Sequence, residues 1–228
     1  MKESSLRRHP GLPSGPGLRV VLDADRILLD FEAAFRASAR AALGYPVRQR
    51  SRVYALDVRY GLDRAQMSRV WSQIERDGWS GFAPMPGARA LIAVLHAARA
   101  DIRVATAIDP AFHAGRLLDL RRAGLDLAEE ALVCVGHASS KEPLIARFAP
   151  HIVVDDDVVH INAAARQAVA LPVWVHHGDP PREPPQWRDG QVRCVCTVHE
   201  AAGEVAIALG AMPHKPARQA GGSPSCGG

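Results

Sequence analysis

The sequence lacks any hydrophobic run near the roughly 18–20 residues that a membrane-spanning helix requires, which argues against a membrane protein. Residues 1–17 are polar and have no apolar stretch like that of a secretory signal peptide. Aromatic residues are scarce, at 5%, but 47% of the chain is hydrophobic, which excludes a wholly disordered protein. We therefore expect a soluble cytoplasmic protein that has no membrane partner.

The body of the chain also lacks the surplus of positive charge that a nucleic-acid polymer attracts. The formal net charge is +4, but basic residues exceed acidic ones by two in residues 1–18 and by two in residues 213–228. Residues 19–212 are therefore neutral overall, and no nucleic-acid partner is expected. Both ends are rich in Gly, Pro and Ser, which predicts disordered tails.

Cysteine is scarce as well, and the spacing of the four cysteines gives little support to a metal site. Cys194 and Cys196 form a single C-x-C pattern, whereas zinc sites usually combine two cysteine pairs. Cys134 lies in the apolar run LVCV and is typical of a small buried side chain. We expect reduced, structural cysteines.

Between the tails, apolar runs of strand length alternate with segments of helical pattern. These runs cover residues 18–25, 102–107, 131–136, 151–156, 172–177 and 192–198. The alternation predicts an α/β fold, in which helices cover both faces of a parallel sheet. Residues 31–85 interrupt the alternation and begin with a helical pattern over residues 31–43, so we expect a helical insertion after the first strand.

Reactive side chains are placed where the predicted strands end. Asp23 and Asp25 close the first run, Thr106 closes the second, and residues 155–157 are three aspartates that close the fourth. Lys141 stands just before a predicted helix. Ligand sites in open α/β sheets form at the carboxyl ends of the strands, so we expect these residues to meet in one site.

This order of motifs resembles the haloacid dehalogenase-like (HAD) superfamily, and the resemblance covers roughly residues 19–200. VVLDADRILLDF is similar to the first family motif, a strand followed by D-x-D-G-x-x-x-D. IRVATA is similar to the second motif, a strand that ends in Thr or Ser, and Lys141 matches the third. HIVVDDDVVHINAA is similar to the acidic fourth motif. Most members are phosphohydrolases, so the resemblance implies a HAD-like Rossmannoid sheet, a helical cap and Mg²⁺ as cofactor.

The resemblance also implies a role for each matched residue. Asp23, itself a metal ligand, would attack phosphorus to form an aspartyl-phosphate, and Asp25 would act as general acid and base while its carbonyl binds Mg²⁺. Thr106 and the N–H of Ala107 would bind phosphoryl oxygens, and Lys141 would bridge nucleophile and phosphate. Electrostatics supports these roles, because Mg²⁺ and a lysine offset the repulsion between a carboxylate nucleophile and an anionic phosphate.

The fourth motif would supply the remaining metal ligands. Family members often have D-x-x-x-D-I-x-A-A at this point, and Ile161 begins the I-x-A-A part here. This register makes Asp156 the direct Mg²⁺ ligand. Asp155 would then support the ligands or reach the metal through water, and Asp157 would be a helix N-cap.

Two positions depart from the family pattern. Arg26 replaces the usual Gly after D-x-D, so the turn there could differ, because Gly tolerates backbone angles that other residues avoid. Arg26 either contacts a substrate phosphate or is an ordinary solvated arginine. His160 occupies a place where many members have a second Asp.

The inserted segment resembles a cap that closes over the site and selects the substrate. Within the superfamily, DADRILLDFEAAF is most similar to 5′(3′)-deoxyribonucleotidases, in which the Phe after the last Asp packs against the base. Phe31 has the matching position, and ordinary helix-core packing is the other interpretation of this residue. The second motif lacks the Ser-Pro pair that follows Thr in that group.

These observations predict a Mg²⁺-dependent phosphomonoesterase for a small phosphorylated metabolite, with a nucleoside monophosphate as the leading substrate. A sugar-phosphate or phosphoglycolate-like phosphatase is the alternative within the class. A weakly active member that serves as a binding scaffold is the alternative outside it. A response-regulator receiver also uses Asp, Thr and Lys, but it has no large insertion after its first strand.

We expect a monomer or a homodimer. The predicted domain organisation is a tail over residues 1–18, a HAD-like core over residues 19–30 and 86–212, a helical cap over residues 31–85, and a tail over residues 213–228.

Overall fold

The computed structural model describes residues 9–13, 15, 17–125, 127–137 and 140–211. The prediction of disordered tails falls largely on residues 1–8 and 212–228, which lie outside the described residues. Residues 9–13 depart from that prediction, because Leu12 is buried and the N–H of His9 donates to the carbonyl of Ala208 at 2.9 Å. Within the described residues, no helix combines the length and the apolar composition needed to cross a bilayer.

In the part of the chain that the structure describes, six parallel strands form one sheet, which confirms the predicted α/β fold. Their order across the sheet is β3-β2-β1-β4-β5-β6. The strands are β1 (Arg19–Asp23), β2 (Asp101–Thr106), β3 (Leu132–Cys134), β4 (Ile152–Asp155), β5 (Leu171–Val175) and β6 (Arg193–Val195). Each of the six apolar runs in the sequence therefore overlaps one strand, and β2 and β5 begin one residue before their runs.

Eight α-helices connect or cover these strands within the described residues. They are α1 (Phe31–Leu43), α2 (Leu56–Tyr60), α3 (Arg64–Arg76), α4 (Ala88–Ala97), α5 (His113–Arg122), α6 (Glu142–Phe148), α7 (Val158–Arg166) and α8 (Val198–Ala208). Alternation along the strands divides the core in two, because Val20 and Leu22 of β1 pack on one face and Val21 on the other. Both faces of the sheet are thus covered, which explains why the central strands are almost wholly apolar.

The first strand lies at the point where the strand order reverses. β1 pairs with β2 on one side, where Asp23 aligns with Ala105, and with β4 on the other, where Leu22 aligns with Val154. The chain builds β2 and β3 outward in one direction and β4, β5 and β6 in the other. This reversal leaves a crevice at the carboxyl ends of β1, β2 and β4, where ligands of such sheets bind.

The helical segment predicted after the first strand contains α1, α2 and α3. The predicted helix over residues 31–43 is present with those bounds, because capping groups define both ends. The Asp30 side chain accepts a hydrogen bond from the N–H of Ala33, and Gly44 ends the helix in the left-handed conformation at φ 83°. α1 and α3 pack together through an aromatic cluster made of Phe31, Phe35, Tyr60, Trp71, Trp79 and Phe82.

A close approach between α5 and the end of this segment provides a test of the packing. A Cβ added at Gly115 would lie 2.1 Å from the carbonyl oxygen of Gly78, so Gly115→Ala should lower the free energy of unfolding by about 1–3 kcal/mol. The matched control is Gly203→Ala in α8, where nothing lies within 4 Å of the added Cβ. Alanine there should raise stability by up to about 1 kcal/mol, because it favours helix more than glycine does.

Denaturant unfolding of both variants measures these two changes. Equal effects at Gly115 and Gly203 would contradict the close approach of α5 to the inserted segment.

Candidate active site

The sheet edge brings together the residues that the sequence analysis selected. Asp23 ends β1, Thr106 ends β2 and Asp155 ends β4, and these three strands are adjacent. Lys141, the residue before α6, extends its side chain to the same edge. Their convergence follows from the topology, because parallel strands present their carboxyl ends on one side of the sheet.

A lysine bridge lies at the centre of this edge. The ammonium of Lys141 is 2.7 Å from Asp23 Oδ1 and 2.8 Å from Asp155 Oδ2, and all three side chains are buried. Burial alone would lower the pKa of Lys141, but the two carboxylates raise it above its ordinary value. The lysine therefore stays charged at neutral pH and offsets part of the repulsion between the carboxylates.

Three buried carboxylates form a set of oxygen donors beside this bridge. Asp23, Asp155 and Asp156 each offer one ligand atom, and these atoms lie within 4.8 Å of one another. Burial raises the pKa of all three carboxyl groups, so their ionised forms need a further positive charge nearby. Closely spaced carboxylate oxygens are the donors that Mg²⁺ prefers, and the set therefore fits this ion.

Asp155 and Asp156 differ in what their carboxylate oxygens contact. Asp155 Oδ2 accepts a hydrogen bond from Lys141, and Asp155 Oδ1 accepts one from the N–H of Asp157 at 2.9 Å. The side chain of Asp157 caps α7, as predicted, by accepting a hydrogen bond from the N–H of Val159. Asp155 is thus held by the protein, whereas Asp156 faces the cavity described below.

Asp25 points away from the three donors. The chain turns directly after β1, where the N–H of Leu28 donates to the carbonyl of Ala24 at 2.9 Å. The turn places the Asp25 carboxylate 3.4 Å from the hydroxyl of Thr106 and 3.0 Å from Nη2 of Arg116. Residues two apart share one face of a strand, so it is the turn after β1 that gives Asp23 and Asp25 different partners.

Arg26 keeps the turn that glycine would make and is not a solvated arginine. Its φ is 62°, in the left-handed region, at a cost of about 1–2 kcal/mol for a residue with a Cβ. Its guanidinium is 2.9 Å from Asp156 Oδ2 and 2.6 Å from Asp179 Oδ2, and only 12% of the side chain is exposed. The solvated interpretation was wrong because these two carboxylates hold the arginine inside the site.

An ion-pair chain continues from Arg26 to the inserted helices. Asp179 accepts a hydrogen bond from Arg26 and a second one from Arg59, whose Nη2 is 2.7 Å from Asp179 Oδ2. Arg59, on α2, is itself buried and pairs with Glu32 of α1, which also accepts from the hydroxyl of Tyr60. Buried charges thus connect the sheet edge to α1 and α2.

His160 and Tyr54 complete the polar surroundings of the donors. Burial lowers the pKa of His160 to about 4, so its imidazole is neutral at pH 7. Tyr54, in the inserted segment, is close enough to the aspartates for burial and their charges to raise the pKa of its hydroxyl. The guanidinium of Arg182 covers the Tyr54 ring at 5.2 Å and pairs with Asp157.

The sequence analysis missed Asp179, Arg59 and Arg116. Asp179 follows β5 at the same sheet edge, so the rule that sites form at strand ends could have found it. Arg59 and Arg116 lie on helices, where no motif marks them and where charged side chains are usually exposed.

A cavity of about 340 Å³ opens above Asp23. Its reactive end is lined by Asp23, Asp25 and Lys141, and Ala107 also lines it. The lining also has aromatic and apolar members, which are Phe31, Leu56, Met67, Trp71, Trp79 and Ile108. The rings of Trp71 and Trp79 are stacked, with centroids 5.9 Å apart and planes 18° apart.

Phe31 both lines the cavity and packs in the helix core, which are the two positions that the sequence suggested for it. It lines this cavity, but it is only 8% exposed and packs against four rings of the aromatic cluster, with centroid distances of 6.0–6.4 Å. Helix-core packing is therefore present, and an edge of the ring remains available to a ligand.

Solved structures share this fold. A proposed haloacid dehalogenase-like hydrolase from Burkholderia xenovorans matches with a TM-score of 0.55 and 20% identity, over 86% of this chain and 99% of that one. A proposed β-phosphoglucomutase from Thermotoga maritima matches with a TM-score of 0.51 and 17% identity, over 82% and 98% of the two chains. No protein family model and no curated protein matches the chain.

A third structure was solved with small ions bound. It is a HAD family hydrolase from Deinococcus radiodurans with bound phosphate and sodium, and it matches with a TM-score of 0.51 and 17% identity. The match covers 83% of this chain and 96% of that one. The chain thus has the fold of the HAD-like hydrolases.

The ion-pair chain gives a prediction for stability. Asp179→Asn removes the charge shared by Arg26 and Arg59, whose side chains are 12% and 3% exposed. Two buried guanidinium groups would then lose a partner, and the free energy of unfolding should fall by about 3–5 kcal/mol. The matched control is Glu142→Gln, whose ion pair with Arg166 has a similar distance, 2.9 Å, but is more than 40% exposed on both sides.

The control should cost less than about 1 kcal/mol, because water screens an exposed pair. Denaturant unfolding measures both variants. A loss at Asp179 no larger than that at Glu142 would show that the chain of buried ion pairs contributes nothing in solution.

Proposed function

We propose that the chain is a Mg²⁺-dependent phosphomonoester hydrolase that acts on a small phosphorylated metabolite through an aspartyl-phosphate. The observation that carries this proposal is the bridge from Lys141 to Asp23 and Asp155, with Asp156 beside it, in a site that opens to a cavity lined by Asp23, Lys141 and Asp156. A buried carboxylate can attack an anionic phosphate only where positive charge is already in place.

The donor set supports a particular choice of metal ligands. Asp23 and Asp156 would hold Mg²⁺ together with the backbone carbonyl of Asp25, and Asp155 would support them from its hydrogen bonds to Lys141 and Asp157. When bound, Mg²⁺ would supply positive charge to the phosphoryl oxygens and to the attacking carboxylate.

Side chains and backbone groups of the protein would carry out nucleophilic attack, phosphate binding and proton transfer. Asp23 would attack phosphorus, while Lys141 orients its carboxylate through Oδ1 and neutralises the incoming phosphate. Thr106 and the N–H of Ala107, at the end of β2, would hold a phosphoryl oxygen. Asp25, at the edge of the cavity, would donate a proton to the leaving oxygen and then take one from the water that hydrolyses the aspartyl-phosphate.

The inserted helices are proposed to act as a cap that selects the leaving group. The aromatic lining from Phe31, Trp71 and Trp79 favours a flat apolar ring, which supports a nucleoside monophosphate as substrate. Arg26, paired with Asp156 and Asp179, is the cation that would meet a phosphate or another anionic group of the substrate. A sugar phosphate is the second candidate, favoured by Glu32, Asp57 and Arg59, which also line the cavity.

The nucleophile is tested by Asp23→Asn, which preserves the shape of the side chain but removes the attacking carboxylate. Turnover of p-nitrophenyl phosphate with Mg²⁺ should fall by several orders of magnitude. The control is Asp101→Asn at the start of β2, an exposed carboxylate at the opposite end of the sheet, and it should leave turnover unchanged.

Thermal unfolding of both variants checks that each one folds. Retention of wild-type turnover by Asp23→Asn would remove Asp23 as the attacking group, and the absence of any hydrolysis by the wild type would favour the scaffold alternative.

The substrate class is tested at Phe31. Phe31→Ala should lower kcat/KM for nucleoside monophosphates roughly tenfold to a hundredfold, because one stacked ring is worth on the order of 1–3 kcal/mol. Hydrolysis of p-nitrophenyl phosphate should change much less, because its phosphate meets the same catalytic groups.

The matched control is Phe35→Ala, since Phe35 belongs to the same aromatic cluster and is fully buried. Both variants should lose about 3–5 kcal/mol of stability. If nucleotides and the aryl phosphate lose activity in parallel in both variants, Phe31 is a core residue only and the nucleotide proposal loses its main support.

A further inference from the structure

Arg116 is a buried arginine behind the proposed site. It lies on α5, its side chain has no solvent exposure, and it does not line the cavity. Its guanidinium carbon lies 4.5 Å from the centroid of the Phe82 ring and 5.3 Å from that of Trp79. Arginine is among the residues least often buried completely, so its presence in this position needs an explanation.

The charge of Arg116 has one anionic partner. Among the described residues, Asp25 is the only carboxylate within ion-pair distance, with Nη2 at 3.0 Å from Oδ1 and 3.3 Å from Oδ2. Nε and Nη1 have no hydrogen-bond partner among the described residues. A buried guanidinium with unused donors destabilises a fold, and an apolar residue of similar size would serve the core better.

The surroundings fix the guanidinium rigidly. Asp119, one turn along α5 from Arg116, accepts hydrogen bonds from the N–H groups of Gly81 and Phe82, both at 2.9 Å. These bonds hold the Phe82 ring against the guanidinium, and a cation over a ring face is attracted by it. α5 therefore offers Asp25 a positive charge that has little freedom to move.

Asp25 contacts both Arg116 and the cavity, whereas Arg116 does not line the cavity. The carboxylate lines the cavity and keeps 22% of its side chain exposed, while Arg116 approaches it from the protein interior. Thr106 donates to the same carboxylate at 3.4 Å. The carboxylate is thus held on its inner side and remains open on the side where a leaving group would lie.

We propose that Arg116 is a positioning residue that holds the Asp25 carboxylate at the cavity edge for proton exchange with the leaving oxygen. This inference rests on the proposed phosphomonoesterase function. A proton donor works only within hydrogen-bond distance of the atom that receives the proton, and loss of that placement lowers the rate without removing the donor. Arg116 itself touches neither the cavity nor the reacting atoms.

A pair of aryl phosphates separates this role from a structural one. Phenyl phosphate and p-nitrophenyl phosphate have nearly the same shape, but nitrophenolate is a stable anion that departs without a proton, whereas phenolate depends more on one. The ratio kcat/KM covers the steps up to cleavage of the ester bond, so the comparison isolates the proton donation that accompanies departure.

The variant is Arg116→Met, which keeps the length and apolar stem of the side chain and removes its charge. It should lower kcat/KM for phenyl phosphate about ten times more than that for p-nitrophenyl phosphate. Asp25→Asn should show the same selective loss, and the double variant should resemble Asp25→Asn alone, because the arginine acts through the aspartate. Arg116→Lys should recover part of the lost selectivity, because it restores the charge.

Three outcomes distinguish the explanations. An equal loss on both esters, or additive losses in the double variant, would overturn the inference and leave Arg116 with a structural role. If Arg116→Met does not fold, Arg116→Gln takes its place with the same expected selectivity, and thermal unfolding monitors both. Failure of the wild type to hydrolyse either ester would instead contradict the proposed function.

Discussion

The ammonium of Lys141, held between Asp23 and Asp155, is the interaction on which the rest of the sheet edge depends. Two adjacent parallel strands, β1 and β4, bring three carboxylates to one buried point, where burial raises the pKa of each and like charges repel. Such an arrangement persists only with compensating charge nearby. The lysine supplies part of that charge, and a bound Mg²⁺ would supply the rest.

The same need for compensation explains the unusual arginines. Arg26 adopts a left-handed backbone conformation and pairs with Asp156 and Asp179. Arg59, which lies on the inserted helices, also pairs with Asp179. Arg116 is fully buried, and in the described part of the chain its one anionic partner is the Asp25 carboxylate. Each of these arginines has a backbone conformation or a degree of burial that lowers stability. Proteins tend to keep such features where function requires them. All of these departures lie at one edge of one sheet.

Much of the fold follows from patterns that are local in sequence. The six apolar runs each overlap a strand to within a residue at its start, and α1 has its predicted bounds because Asp30 and Gly44 define its ends chemically. The meeting of Asp23, Thr106 and Lys141 was also predictable, because the order of strands determines which ends are adjacent.

The environment of charged side chains could not be predicted from patterns that are local in sequence. Nothing in the sequence distinguishes the buried Arg116 from the exposed Arg121 and Arg122 on the same helix. Arg26 was expected in solvent, with a substrate phosphate as the alternative, because its partner Asp179 lies more than 150 residues away in the sequence. Such pairings depend on how helices and loops pack, which periodicity and spacing do not encode. The roles of the site residues likewise remain predictions.

The central claim is that Asp23 carries a covalent phosphoryl group during turnover. Rapid acid quench of the protein with excess p-nitrophenyl phosphate and Mg²⁺, followed by peptide mass spectrometry, tests it most directly. The account predicts one phosphoryl group on the peptide that contains Asp23, and its loss when Mg²⁺ is removed by a chelator. Phosphorylation of a different residue, or hydrolysis with no phosphorylated peptide at any quench time, would contradict the account.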